Sequence, residues 1–334
     1  MEELRTQINE LLIKVDFEAI WARFSPCPFA IFDTKNVYLD GSVIPWDDRF
    51  LGNTVIEYND DMLAIWGILD VNEIDVDRVA SGLVHEMFHA LQKQQGEKRY
   101  VNELAFLQYA PDVDAGNLAL AESHYLIRAF ADATMDDLEQ FVALRQARSR
   151  ILGYMFHQEM LVETVEGMAE FAGLLALNQI NRAKFVEDVS MHMGILRSAK
   201  SLCNPRLRTY SSGALICLSL KTLGIDFHHH LSNDKPLFDF VPKTENAIHT
   251  AIEAHQSSLK QMFGDFTKSH HNKTEINAYI TGFDPMNMYR LNDQILCKRF
   301  VTLDGQYIEG PVMLQMTQNS PNHVISYVKN FHVQ

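Results

Sequence analysis

The sequence predicts an α+β protein: a small mixed or antiparallel sheet, a mostly helical lobe after it, and a short β-rich subdomain at the C-terminus. Three observations carry this. Residues 29 to 69 are β-prone runs broken by polar turn formers. From Asp75 onward the apolar residues recur at helical spacing through most of the middle of the chain. The tail, "QILCKRFVTLDGQYIEGPVMLQM", then returns to β-rich arms around an Asp-Gly turn, followed by a Gly-Pro break.

Taken in order, the first element is a helix, because Leu4, Ile8, Leu11, Leu12 and Val15 fall on one face. "PFAIFDTKNVYLDGSVI" reads as a hairpin around "DTKN", and "NTVIEYNDDMLAIWGIL" repeats the pattern around "NDD". A helix beginning at Asp75 carries Val79, Leu83, Val84, Met87 and Leu91 as its stripe and has Gly96 as its stop. Further helices are predicted at about 114–132, at 135–156 behind the N-cap Thr134, at about 158–180, at 209–223 and at 244–264. There is no internal repeat or low-complexity tract. The expected division is residues 1–280 (β-rich over about 25–70, helical over about 75–265) and a small C-terminal β subdomain over 281–334.

The chain has 334 residues, 47% of them hydrophobic, enough to bury a full core. Its net charge of -14 argues against partners bound through phosphate or anionic lipid, so neither nucleic acid nor a membrane is expected. Cys27, Cys203, Cys217 and Cys297 are far apart with no C-x-x-C pair, which suggests neither a disulfide framework nor a thiolate zinc site and suits a reducing compartment. The N-terminus is acidic and amphipathic rather than a targeting segment, and "FAGLLALNQI" and "GALICLSLKTLGI" are shorter than the roughly 20 residues that span a bilayer. A cytoplasmic location is the expectation.

The chemistry centres on "SGLVHEMFHALQ", residues 81–92. Four helical residues advance about 400°, so His85 and His89 project from one face about 6 Å apart along the axis and can share one metal ion. Glu86, about 100° away from His85, cannot easily bind the same ion but can reach a water on it, the geometry of a general base in metal-assisted hydrolysis. The competing reading is a pair of histidines that satisfy only local hydrogen bonds.

Two histidines need a third protein ligand. The H-E-x-x-H-x-x-G-x-x-H pattern is excluded, because Gln92 and Gln95 stand where its glycine and histidine would be. "LVETVEGMAEFAG", residues 161–173, offers a glutamate from a second helix: Glu166 and Glu170 are one turn apart on a face shared with Val162, Ala169 and Gly173. A carboxylate on such a stripe is costly unless paired or metal-bound. Gly167 and Ala169 are expected to let this helix approach the histidine helix. Glu163 and Glu122 are alternative ligands that lack the following Gly-x-Ala.

"HEMFH" followed by "EGMAEF" resembles the gluzincin metallopeptidases, the thermolysin-like and aminopeptidase-like zinc hydrolases. The resemblance implies one zinc ion held by His85, His89 and Glu166, with Glu86 as base, and gives Glu170 the position of an acid that orients a ligand histidine. It also implies a sheet packed on the zinc helix, with "NTVIEYNDDMLAIWG" as the edge that binds substrate backbone by strand addition. Tyr210-x-x-Gly213, opening an apolar helix, is similar to the family's Y-x-x-G, whose tyrosine assists the tetrahedral intermediate; an ordinary core-facing ring is the alternative. The three motifs lie between residues 77 and 223, and the G-x-M-E-N substrate-amine motif of the aminopeptidases is absent. The implied function is zinc-dependent hydrolysis of a peptide or protein substrate. The alternative is an inactive relative that binds peptides or regulates.

Three consecutive histidines, His228, His229 and His230, point in different directions and read as a solvated loop. Arg145 and Arg148 read as surface ion pairs by default. Phosphate-binding glycine loops and a G-x-S-x-G elbow are absent, which leaves nucleotide-dependent and serine-hydrolase chemistry without support.

Overall fold

A computed structural model describes residues 1–225, 227, 245–269, 273–317, 320 and 322–329. The chain opens with α1 (Glu2–Leu12) and the short α2 (Phe17–Ile20), the latter capped by Asp16, which accepts from the Ala19 N–H at 3.0 Å. Five strands follow: β1 (Phe29–Phe32), β2 (Asn36–Leu39), β3 (Ser42–Pro45), β4 (Thr54–Tyr58) and β5 (Asp61–Gly67). Their order is β3-β2-β1-β5-β4, and only β1–β5 is parallel, so the sheet is mixed. Both predicted hairpins form. Asp33 Oδ1 accepts from the Lys35 and Asn36 N–H groups at 2.7 and 2.8 Å in the first turn, and Asn59 and Asp60 take the left-handed conformation in the second. Strand β4 forms one edge, with no further strand beside it among the described residues, and its Val55 carbonyl accepts from Lys93 Nζ at 3.1 Å.

The helical middle comprises α3 (Val76–Gln94), α4 (Glu103–Phe106), α5 (Val113–Asp132), α6 (Met135–Leu152), α7 (Tyr154–Ile180), α8 (Arg182–Arg197) and α9 (Pro205–Thr222). Helix α3 starts behind Asp75, whose side chain accepts from the Arg78 N–H, and ends before Gly96 at φ +77°. Its apolar face, with Leu83, Val84 and Met87, is buried with Trp21, Phe88 and Phe171 in the main core. Trp21 meets Phe88 edge-on, 5.1 Å between ring centroids.

Three departures from the expected helices fall between α6 and α9. The break between α6 and α7 falls at Gly153, at φ +51°, rather than near residue 157. Helix α9 begins at Pro205 behind an Asn204 cap, so Tyr210 lies in its second turn rather than opening it. Helix α8 is not among the predicted elements, because it buries only Val189, His192 and Leu196 and therefore carries a weak stripe.

After α10 (Glu245–Ser269) come β6 (Lys273–Phe283), β7 (Met288–Leu291), β8 (Gln294–Cys297), β9 (Phe300–Leu303), β10 (Gln306–Glu309), β11 (Val312–Met316) and β12 (His323–Lys329). They form one antiparallel sheet in the order β10-β9-β6-β12-β11-β8-β7. The expected Asp-Gly turn joins β9 to β10, with Asp304 and Gly305 both at positive φ. Phe263 and Phe266 of α10 pack on this sheet at Leu296 and Met313, while Ile280, Ile295, Val301 and Leu314 fill a second cluster. The chain is therefore α+β. His228, His229 and His230 lie outside the described residues. Among the described residues no helix is long and apolar enough to cross a membrane.

Candidate metal centre

Helix α3 presents His85 and His89 one turn apart, and α7 crosses it with Glu166 opposite them. The side-chain atoms converge: His85 Nε2 to His89 Nε2 is 3.1 Å, His89 Nε2 to Glu166 Oε2 is 3.2 Å, and His85 Nε2 to Glu166 Oε2 is 3.6 Å. Two ligand atoms about 2.0–2.1 Å from a tetrahedral zinc stand about 3.3 Å apart, so these separations are those of one shared ion. Among the described residues this is the group of histidines and carboxylates able to hold a metal.

The outer nitrogens determine what the inner ones offer. His85 Nδ1 lies 3.0 Å from Glu170 Oε2, a carboxylate that can only accept, so Nδ1 carries the proton. His89 Nδ1 lies 2.7 Å from Gln92 Oε1, and Gln92 Nε2 donates to the Val165 carbonyl at 2.9 Å, which fixes the amide's orientation. With both rings neutral, each Nε2 would turn a lone pair toward the other and toward a carboxylate oxygen. Three such donors in contact repel unless a cation lies among them, and this donor set fits Zn2+.

Electrostatics agree. Burial opposes charge on His85, but Glu166 and Glu170 outweigh it and raise its pKa well above the usual histidine value. Burial likewise opposes ionisation of Glu166, yet His89, His85 and Arg206 hold its carboxyl well below the ordinary range. The same balance, with His192 and His85 outweighing burial, depresses Glu170. The site thus attracts positive charge. Glu86 is different: burial raises its pKa against the pull of His85 and His89, which suits a group that must take and return a proton.

Tyr210 on α9 stacks on His85, with centroids 6.1 Å apart and planes 13° apart. Burial, reinforced by the Glu166 charge, keeps its phenol protonated as a donor. Arg206, one turn earlier, donates to Glu166 Oε1 at 3.1 Å, leaving Oε2 for the histidines, and is itself paired with Glu103. On α8, His192 Nε2 lies 3.1 Å from Glu170 Oε1, and its Nδ1 meets Ser211 Oγ at 3.0 Å.

Two glycines explain how α7 and α9 come this close. A Cβ on Gly167 would lie 2.5 Å from Gly213 Cα, and one on Gly213 would lie 2.5 Å from the Glu163 carbonyl oxygen. The Gly-x-Ala and Y-x-x-G motifs therefore meet at a single helix crossing. The expectation that Gly167 faces the histidine helix is corrected: that role falls to Gly173, where a Cβ would be 3.0 Å from the Ser81 carbonyl and 3.5 Å from His85 Cβ.

The alternative ligands lie elsewhere. Glu163 pairs with Arg145 and accepts from Ser212, and Glu122 pairs with both Arg145 and Arg148. Arg145 and Arg148 are not surface residues: they are 3% and 4% exposed, in a network with Glu122, Glu159 and Glu163. Each arginine sits within one turn of the other on α6, and the facing acids on α5 and α7 neutralise the pair. The surface reading fails because a buried guanidinium is stable only when surrounded by such partners.

The histidines, Glu86, Glu166, Arg206 and Tyr210 open into a cleft of about 520 Å3, bounded by residues 51–55 at the start of β4 and by Phe283–Asn287 and Phe300 of the C-terminal sheet. Sequence reasoning missed Arg206, His192, Gln92 and Glu103. The first shares Tyr210's face at i−4 and Gln92 follows His89 at i+3, so helical spacing was a usable signal for both; Glu103 and His192 arrive from other elements and leave no trace. Compared with protein-family models, with curated proteins and with solved structures, the chain finds no match in any of the three.

Proposed function

We propose that the protein is a gluzincin-like zinc metallopeptidase that hydrolyses peptide bonds in the cleft beside β4. The observation that carries this is the convergence of two oriented imidazole nitrogens and one carboxylate oxygen beside the buried Glu86. His85, His89 and Glu166 would hold the zinc ion, which when bound supplies Lewis acidity and a water acidic enough to lose its proton near neutral pH.

Glu86 would accept a proton from the attacking water and return it to the leaving amine. Tyr210 donates its hydroxyl to the developing oxyanion. Glu170 and Gln92 keep the imidazoles in the required tautomer, and Arg206 turns Glu166 so that one oxygen serves the ion. The edge of β4 would bind the substrate backbone as an added strand. The free thiols of Cys27, Cys217 and Cys297 support a reducing, cytoplasmic setting.

The test is Glu86→Gln, which preserves shape and removes the base. It is expected to retain zinc and lose peptide cleavage by at least about a hundredfold. Cleavage at the wild-type rate would remove Glu86 from the mechanism, whereas a wild-type protein that binds zinc and peptides without cleaving them would favour a binding module.

A further inference from the structure

A second cavity, of about 470 Å3, adjoins the metal cleft and shares Leu51, Gly52, Asn53, Arg299 and Phe300 with it. Its character is different. Five aromatic side chains line it: Phe32, Trp46 and Phe50 from the N-terminal sheet region, and Phe300 and Tyr307 from the C-terminal sheet. Phe50 is fully buried and forms the floor, and the Trp46 indole is fixed by its Nε1–H donating to the Phe50 carbonyl at 2.9 Å. Tyr307 stacks on Phe300 with centroids 5.9 Å apart and meets Trp46 edge-on at 6.4 Å. The rings around that floor are half-buried and held by one another, so the slot exists before anything enters it.

The polar groups at this slot are partly engaged: Asp33 is occupied by the Lys35 and Asn36 amides and the Tyr38 hydroxyl, Asn53 Oδ1 accepts from the Gly67 N–H, and Arg299 lies beside Asp284, while Glu309 is exposed at the edge. The aromatic rings form the largest set of side chains in the lining, with Leu69, 86% exposed, at the rim. The shared wall, residues 51–53, leads directly into the edge strand β4. A peptide laid along that edge advances about 3.3 Å per residue and turns alternate side chains to the same side. A side chain displaced along the peptide from the scissile bond would therefore meet the slot.

We propose that this slot is a specificity subsite taking one bulky aromatic side chain of the peptide substrate, and that the C-terminal sheet belongs to the peptide-recognition surface by contributing two of its five rings. The inference rests on the hydrolase reading for its biological meaning, but its test does not depend on turnover. The probes are N-acetylated, C-amidated hexa-alanine peptides with a single phenylalanine scanned through all positions, with hexa-alanine itself as reference. They are titrated calorimetrically into the full-length, zinc-loaded Glu86→Gln protein. One position of phenylalanine is expected to bind about 10- to 100-fold tighter than hexa-alanine. Tyr307→Ala should reduce the preference to about threefold or less with zinc content unchanged. Leu69→Glu, at an exposed position that cannot disturb the core, should weaken it in the same direction. Equal binding of all the peptides, or a preference untouched by both substitutions, overturns the subsite. If the preference holds while wild-type protein cleaves none of the peptides, the hydrolase reading fails and the subsite stands; cleavage with no aromatic preference removes the subsite and leaves the hydrolase reading in place.

Discussion

Replacing Gly167 with alanine tests whether the site depends on the closeness of α7 and α9. The added Cβ would sit 2.5 Å from Gly213 Cα, 2.9 Å from its carbonyl carbon and 3.2 Å from the Ala214 nitrogen. All three are backbone atoms, so no side chain can swing aside. Ordinary carbon–carbon contact begins near about 3.5 Å, and the helices must part by roughly 1 Å. Overpacking of this kind destabilises by about 1–3 kcal/mol, or roughly 1.5–4 °C in Tm for a chain of this size. Glu166 is the preceding residue, and metal–ligand distances tolerate only about 0.2 Å, so zinc affinity should fall by about tenfold or more. Gly194 on α8 is the control: it is exposed and a Cβ there meets nothing within 4 Å. Gly194→Ala should leave zinc affinity unchanged and stabilise by up to about 1 kcal/mol through helix propensity. The assays are thermal unfolding of the metal-free and zinc-loaded proteins and competition with a chelating indicator. A Gly167→Ala protein with unaltered Tm and zinc affinity would refute the close-crossing argument.

Three further outcomes follow from named contacts. Gln92→Leu removes the acceptor for His89 Nδ1 and the donor to the Val165 carbonyl, and should weaken zinc binding about 10- to 100-fold in a competition titration. Tyr210→Phe keeps the ring on His85 but removes the hydroxyl; kcat is expected to fall about 10²- to 10³-fold with zinc content intact, and an unchanged kcat would dismiss the oxyanion role. Burial opposes ionisation of Glu122, but Arg148 and Arg145 outweigh it and lower its pKa below the usual carboxylate value. Its stabilisation is therefore complete above the ordinary glutamate range and is lost as pH falls through the depressed folded value. Glu122→Gln should lose about 3–5 kcal/mol at pH 7 and show a shallower decline below about pH 4.5 in denaturant titrations, whereas a stability profile parallel to wild type would count against the pairing.

The parts of the fold legible in the sequence are those where one residue pattern suffices. The stripe of α3 and the stop at Gly96 follow from periodicity and chirality, and the turns at Asp33 and Asp304-Gly305 follow from side-chain and backbone preferences local to each turn. Helix α8 is not legible because it rests on few buried residues, and the start of α9 lies earlier than periodicity suggests because Asn204-Pro205 caps it. At the site, His85 and His89 could be singled out by their i, i+4 spacing and Glu166 by the resemblance of its Glu-Gly-x-Ala to the gluzincin motif, and the structure brings the three within 3.1–3.6 Å of one another. Arg206 with Glu103, and His192 with Glu170, pair across long stretches of chain, and no local pattern encodes such pairs. Arg145 and Arg148 are misread for the same reason: their acids lie on α5 and α7, so neighbouring residues give no sign of burial.

Every role proposed for the site requires one ion among His85, His89 and Glu166. Elemental analysis of the purified chain by plasma mass spectrometry, beside His85→Ala and Glu166→Ala, addresses it without recourse to a substrate. Close to one zinc per chain is expected in the wild type and little in either variant, with both variants still folded by circular dichroism. A folded wild-type protein that takes up no zinc even after reconstitution would contradict the proposal, leaving two imidazole lone pairs and a carboxylate in contact with only protons to reconcile them.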